Sequence, residues 1–215
     1  LILTLAKRGR EFDTAVRDGE WESRNTLQGS ELFGKYLLLV GFGRIGREVG
    51  KRALAFGMQL HVYDPYVDEQ QVGSAGAAYV KDLDTFLPKT DFLSLHLPYT
   101  PKNHHIIGHE ELRALPSSAY VINTARGGLI DEDELFKALE SGNLAGAGLD
   151  CFEQEPPSNN LKLLNSGRVI VSPHNASLTA ECTRRLGLVC VENVVDALTG
   201  CLKKERVVNW DAVHA

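Results

Sequence analysis

From Tyr36 onward the chain alternates between short, almost uniformly apolar runs and longer stretches in which apolar residues recur every three or four positions. The runs fall at 36–40, 59–63, 91–97, 119–123, 144–149 and 168–172. That rhythm predicts strands joined by crossover helices, and hence a parallel sheet. In Leu37-Leu38-Leu39-Val40 the apolar residues are consecutive, which suits strands covered on both faces. Helices are predicted over 45–56, 110–114 and 131–141. The last has acidic residues in its first turn and Gly142 just past its end, as the helix dipole and the C-cap require. A long helix is predicted over 179–198, with Leu186, Val189, Cys190, Asn193, Val194 and Ala197 near one face. A further helix is predicted over 1–17; no capping residue precedes its apolar start, so sequence upstream is expected.

At 215 residues and 43% hydrophobic content, the chain has room for one large domain, or one domain and part of another. Its formal charge of -5 comes from interspersed acids and bases, which supply neither a stripe for nucleic acid nor a polybasic membrane anchor. No apolar run approaches the ~20 residues that span a bilayer. Cys151, Cys182, Cys190 and Cys201 have no metal-ligand spacing, and no signal-peptide pattern is present. A soluble protein with reduced thiols in the cytoplasm, without a metal, is expected.

Gly41-Phe-Gly43-Arg44-Ile45-Gly46 directly follows the 36–40 run and leads into a helical pattern. A dinucleotide fingerprint requires this context: one glycine for the tight turn, one for backbone approach to a pyrophosphate, one for close helix packing. Asp64 ends the next apolar run, where a carboxylate meets ribose hydroxyls and repels a 2'-phosphate, so NAD is expected over NADP. The expected fold is α/β, a Rossmann-type doubly wound parallel sheet with flanking helices. Asp64 could instead cap a turn before Pro65, and Arg44 could be solvated.

Three more segments follow predicted strands: Asn123-Thr124-Ala125-Arg126-Gly127-Gly128, Asp150-Cys-Phe-Glu-Gln-Glu155-Pro-Pro, and Ser172-Pro-His174-Asn-Ala176. Ligands gather at this edge of an open parallel sheet. Oxidation of a 2-hydroxy acid needs a cation for the carboxylate and a base for the hydroxyl proton. The planar, non-titrating guanidinium of Arg126 suits the first task, and the imidazole of His174 the second. Glu155, hydrogen-bonded to that imidazole, would fix its tautomer and favour its charged form. Singly, each has a plain alternative: a helix-end contact, a solvated loop charge, a satisfied strand-end histidine. His104-His105 lacks a third ligand at metal spacing and is expected on the loop surface.

These residues resemble the D-isomer-specific 2-hydroxyacid dehydrogenase family. The similarity runs through Leu39 to Val49, Leu95-His-Leu97-Pro98-Tyr-Thr100, Asn123 to Gly128, Gly148-Leu-Asp150 and Ser172-Pro-His174, in the family's order and over nearly the whole chain. Gly29-Ser-Glu-Leu-Phe-Gly-Lys35 and the Gly-Arg-Ile-Gly-Arg-Glu-Val run look most like its phosphoglycerate branch. The resemblance implies that Arg126 holds the substrate, His174 is the acid/base and Glu155 tunes it. It places Arg44 and Ile45 at the NAD pyrophosphate, with Gly41, Gly43 and Gly46 forming the turn. Asp64 would meet the ribose, and Leu97, Pro98, Thr124, Ala125, Asp150 and Ala176 would line the rest of the cofactor site. The substrate would be a small 2-hydroxy or 2-oxo acid, with 3-phosphoglycerate one possibility. Glu155 argues against formate dehydrogenases, which resemble this chain overall but carry glutamine there.

Two departures stand out. Asn175-Ala-Ser-Leu178 follows His174 where the phosphoglycerate branch carries glycine. The family's substrate-facing lobe, a domain-sized unit of roughly a hundred residues, has no counterpart in this sequence. Residues 1–28 resemble the helix crossing from that lobe together with the arm of a homodimer, 29–178 the NAD-binding domain, and 179–215 the returning helix and tail. The chain alone is therefore expected to bind NADH but to turn over poorly. Family-related corepressors retain the same trio, so an NADH-responsive binding protein is the alternative function.

Overall fold

The computed structural model describes residues 1–213. Seven strands form one parallel sheet: β1 (Tyr36–Val40), β2 (Gln59–Tyr63), β3 (Ala78–Tyr79), β4 (Phe92–Leu95), β5 (Tyr120–Asn123), β6 (Gly146–Leu149) and β7 (Val169–Val171). Their order is β3-β2-β1-β4-β5-β6-β7, so the winding reverses between β1 and β4, as the doubly wound expectation requires. The helices are α1 (Ile2–Ala6), α2 (Gly9–Arg17), α3 (Arg44–Ala55), α4 (Glu69–Ser74), α5 (Leu83–Phe86), α6 (His109–Ala114), α7 (Glu132–Glu140), α8 (Ala180–Leu198) and α9 (Trp210–Val213).

Two apolar layers sandwich the sheet, which explains the uninterrupted runs. Leu38, Val40, Leu93, Leu95 and Val121 share one layer with Leu112 of α6 and Leu135 and Leu139 of α7. Leu37, Leu39, Leu60 and Val62 face the other, with Leu5 of α1, Ala53 of α3 and Val72 of α4. Asp131 caps α7 by accepting from the Glu134 amide at 3.0 Å, and Gly142 ends it in the left-handed region at φ 76. Gly142 matches the C-cap expected from sequence, whereas Asp131, expected inside the first turn, is the N-cap.

The helix expected over 1–17 is two helices. Arg8 adopts φ 50, a left-handed break immediately before Gly9, and the Ser30 amide donates to the Ala6 carbonyl at 2.6 Å. The break lets α1 lie on the sheet. A Cβ on Gly148 of β6 would stand 3.1 Å from the Leu1 Cβ and 3.2 Å from a Leu5 methyl, so this glycine sets how closely α1 packs. Strand β3 and helix α5 are too short for the periodicity to register, and helix α4 was also not predicted.

The residues pack as two units, Leu1–His174 and Asn175 onward. The opening segment packs within the first. In the second, α8 buries none of its residues. Leu186, Leu188, Val189, Val191, Val194, Val195 and Leu198 are all exposed, a broader apolar surface than the single face predicted. No described helix is long and apolar enough to cross a membrane.

Candidate active site

The glycine turn joins the carboxyl end of β1 to α3, at the point where the winding reverses. Gly41 has φ 98, and a Cβ there would stand 2.6 Å from the His96 carbonyl oxygen, so only glycine fits between the ends of β1 and β4. A Cβ on Gly46 would stand 2.4 Å from the Gly41 oxygen. A Cβ on Gly43 would meet nothing within 4 Å. This open approach to the N-terminus of a 12-residue helix, beginning at the exposed Arg44 and Ile45, suits a pyrophosphate held by backbone amides. Asp64 serves two purposes. Its Oδ2 accepts from the Phe42 amide at 2.7 Å, inside the glycine turn, and its Oδ1 accepts from the Tyr66 amide at 2.9 Å, which is the turn cap considered above. A carboxylate has about four acceptor positions, so capacity for ribose hydroxyls remains. These residues fit NAD.

Beneath the turn, at the end of β4, His96 hydrogen-bonds through Nε2 to Ser94 Oγ at 2.9 Å. Burial pushes its imidazole down to about 4. Leu97 packs partly into the core, and the Pro98 carbonyl accepts from Asn103 Nδ2 at 2.8 Å. His96 was given no role from the sequence, although it lies in the Leu95 to Thr100 segment that resembles the family.

At the end of β5, Asn123 is 2% exposed and shapes the next turn from both ends of its amide. Its Oδ1 accepts from the Ala125 amide at 3.0 Å, and its Nδ2 donates to the Arg126 carbonyl at 2.8 Å. Thr124 and Ala125 are half-buried in that turn, while Arg126 is exposed and donates to the Ala125 carbonyl at 2.6 Å. Sequence reasoning passed over Asn123, although a polar residue at a strand end before a turn is a recognised signal. Gly127 brings two loops together: its missing Cβ would lie 1.8 Å from the Phe152 carbonyl oxygen.

The loop after β6 carries Glu155. Its Oε1 accepts from the Phe152 amide at 3.1 Å, and its Oε2 lies 2.8 Å from His174 Nδ1. The hydrogen bond from His174 is the main cause holding the Glu155 carboxyl below its ordinary value; the Phe152 amide and the charge of Arg126 add to it, against desolvation. The fold thus brings Glu155 and His174 into contact, and the charge of Arg126 acts on Glu155. His174 has φ 49, and its side chain is 43% exposed, open to a reactant. Asp150 is buried and accepts from Ser172 Oγ, joining the ends of β6 and β7. Phe152, Pro156, Leu164, Val171 and Pro173 line an apolar cavity of about 420 Å³ beside the Glu155–His174 pair. Ala176 is exposed and belongs to the second unit.

The surface reading of the paired histidines needs correction. His104 is exposed, but His105 is half-buried between Glu153 and Asp131. Among the described residues no three histidine, cysteine or acidic side chains group as a metal would require.

Residues 1–176 match the model of the D-isomer specific 2-hydroxyacid dehydrogenase, NAD binding domain. The chain is 42% identical over 209 residues to a D-3-phosphoglycerate dehydrogenase of Methanocaldococcus jannaschii, covering 97% of this chain and 39% of that protein. It is 43% identical over 200 residues to a hydroxypyruvate reductase of Thermotoga maritima, covering 92% and 64%. The D-lactate dehydrogenase of Aquifex aeolicus, solved with NAD and lactic acid, superposes with a TM-score of 0.85 at 34% identity, covering 93% of this chain and 64% of that one. The chain thus spans between two fifths and two thirds of the length of these relatives. With the doubly wound sheet, the glycine turn and Asp64 in place, it belongs to the D-isomer specific 2-hydroxyacid dehydrogenase family, as its NAD-binding domain.

Proposed function

We propose that this domain serves an enzyme interconverting a small D-2-hydroxy acid and its 2-oxo acid, with Arg126, Glu155 and His174 acting on the substrate. The observation that carries the reading is the 2.8 Å contact between Glu155 Oε2 and His174 Nδ1 at the carboxyl edge of the sheet. NAD, when bound, supplies the hydride acceptor. Backbone amides at Gly43 to Ile45 would hold its pyrophosphate, Asp64 its ribose, and Leu97, Pro98, Thr124, Ala125 and Asp150 the remainder.

The protein's own share is proton transfer and orientation. Arg126 pairs with the substrate carboxylate, and its charge persists across the working pH range. Glu155 accepts from Nδ1–H of His174, which leaves Nε2 free to take the hydroxyl proton. The imidazolium formed is stabilised by the same carboxylate and returns the proton in the reverse direction. Relatives named for phosphoglycerate and for hydroxypyruvate match almost equally well, so the substrate is assigned only as a small 2-hydroxy or 2-oxo acid. A cytoplasmic homodimer is the setting we propose, and the four free cysteines suit a reducing compartment.

The test is turnover of paired D- and L-2-hydroxy acids with NAD by the full-length natural protein. D-acids are expected to be oxidised and L-acids not. His174→Ala should lower the rate by about 10²- to 10⁴-fold, the usual worth of a general acid/base. Retained activity in that variant would overturn its role. Absence of turnover with any D-acid, alongside intact NADH binding, would favour the corepressor-like alternative.

A further inference from the structure

Glu155 sits on an irregular loop, yet it must hold His174 to within a hydrogen bond. What fixes that loop is found on its far side. The segment containing His105 runs beside the one following Arg126: the His105 amide donates to the Gly128 carbonyl at 2.8 Å, the Ile107 amide to Leu129 at 3.1 Å, and the Asp131 amide back to Ile107 at 3.0 Å. From this ledge the His105 ring reaches Glu153 Oε1 through Nε2 at 2.7 Å and Asp131 Oδ2 through Nδ1 at 3.3 Å. The His104 ring stacks on it, with centroids 3.7 Å apart. Glu153, two residues before Glu155, is gripped a second time where its amide donates to Glu132 Oε1 at 2.7 Å. His105 makes these contacts from φ 52, a conformation uncommon outside glycine that persists where its surroundings hold it.

We propose that His105 is a positioning residue: by bridging the segment that follows Arg126 to Glu153, it fixes the Glu155 loop and so the orientation of His174. The proposal rests on the reading of Glu155 and His174 as the working pair. Both ring nitrogens face carboxylates, with the shorter contact to Glu153. The contacts of His105 are with the segment after Arg126, with His104 and with Glu153, so its effect passes through the loop.

Two variants test this. His105→Asn tolerates the left-handed backbone but is too short to reach both carboxylates; Glu153→Gln removes the charge and leaves the backbone bond to Glu132 in place. The readout is the neutral tautomer of His174 in the 15N-labelled chain, from long-range 1H–15N correlation spectra. In the wild type the Nδ1–H form should dominate, held by Glu155. Both variants should give a mixture with the Nε2–H form. In the full-length natural protein, kcat should fall about tenfold, equivalent to about 1.4 kcal/mol, with the KM for NAD changed less than about twofold. A wild-type tautomer in both variants overturns the proposal, even if their melting temperatures fall, because a merely structural role would lower stability without moving His174. If His105→Asn fails to fold, Glu153→Gln decides alone. Failure of the catalytic reading is separable: full turnover by His174→Ala would sink that reading while the tautomer response remained.

Discussion

His96 and His174 both lie at the carboxyl edge of the sheet, but they are held in opposite ways. His96 closes the underside of the glycine turn, half-buried, bonded to a neutral hydroxyl and pushed down to about 4. His174 stands in the open against a carboxylate. The contrast extends to their surroundings. The nucleotide end is made from consecutive residues and glycines with fixed tasks, so its shape is set before any ligand arrives. At the proposed catalytic end three loops, distant in sequence, meet through a few side-chain bonds and one close approach at Gly127. A rigid end can bind by backbone alone, whereas an end assembled from loops keeps His174 accessible but depends on remote contacts for its geometry.

If the catalytic end depends on loop contact, Gly127→Ala should damage it most. The added methyl has no space beside the Phe152 carbonyl, and we expect a loss at or above about 3 kcal/mol, the upper range for overpacking. Urea unfolding measures it. A loss within about 0.5 kcal/mol, the range of an ordinary surface substitution, would show that the two loops move apart freely.

The nucleotide end carries the larger pH effect. The unfolded chain protonates His96 near 6.5, while the folded chain resists until about 4. Stability from this residue is therefore complete above 6.5 and declines as pH falls towards 4, by on the order of 3 kcal/mol at most. His96→Gln should flatten that part of the stability profile; an unchanged slope would mean the imidazole is not buried in solution. Glu155 gives a smaller effect of related sign. Its folded carboxyl lies below the ordinary 4.5, so its contribution is present above that value and is lost as pH falls through the depressed one. The pair is well exposed, so screening leaves only a small difference. Melting curves of wild type and Glu155→Gln should converge in acid, and a gap that widened there would contradict the assigned pairing.

The same division explains what could be read from the sequence. Gly41 to Gly46, Asp64 and the doubly wound sheet are local patterns, and each carries its own spacing rule. Arg126, Glu155 and His174 were legible as residue types placed after strands, but nothing in the spacing specified the contact of Glu155 with His174. That depends on Gly127 meeting Phe152 and on Asn123 folding its turn from both sides. His105 escaped because its partners lie 26 and 48 positions away, beyond any local pattern. The helix break at Arg8 escaped for a similar reason: it serves packing of Leu1 and Leu5 on Gly148, across the length of the chain.

The separability of the two ends is most directly tested by titrating NADH, by fluorescence, into the wild-type chain, Gly43→Ala and His174→Ala. A methyl on Gly43 meets no protein atom within 4 Å, so the fold should lose no more than about 1 kcal/mol, as for a helix-cap change. It should nevertheless weaken NADH by about tenfold or more, which is about 1.4 kcal/mol, while His174→Ala binds within about twofold of wild type. Wild-type affinity in Gly43→Ala, or its collapse in His174→Ala, would contradict the account.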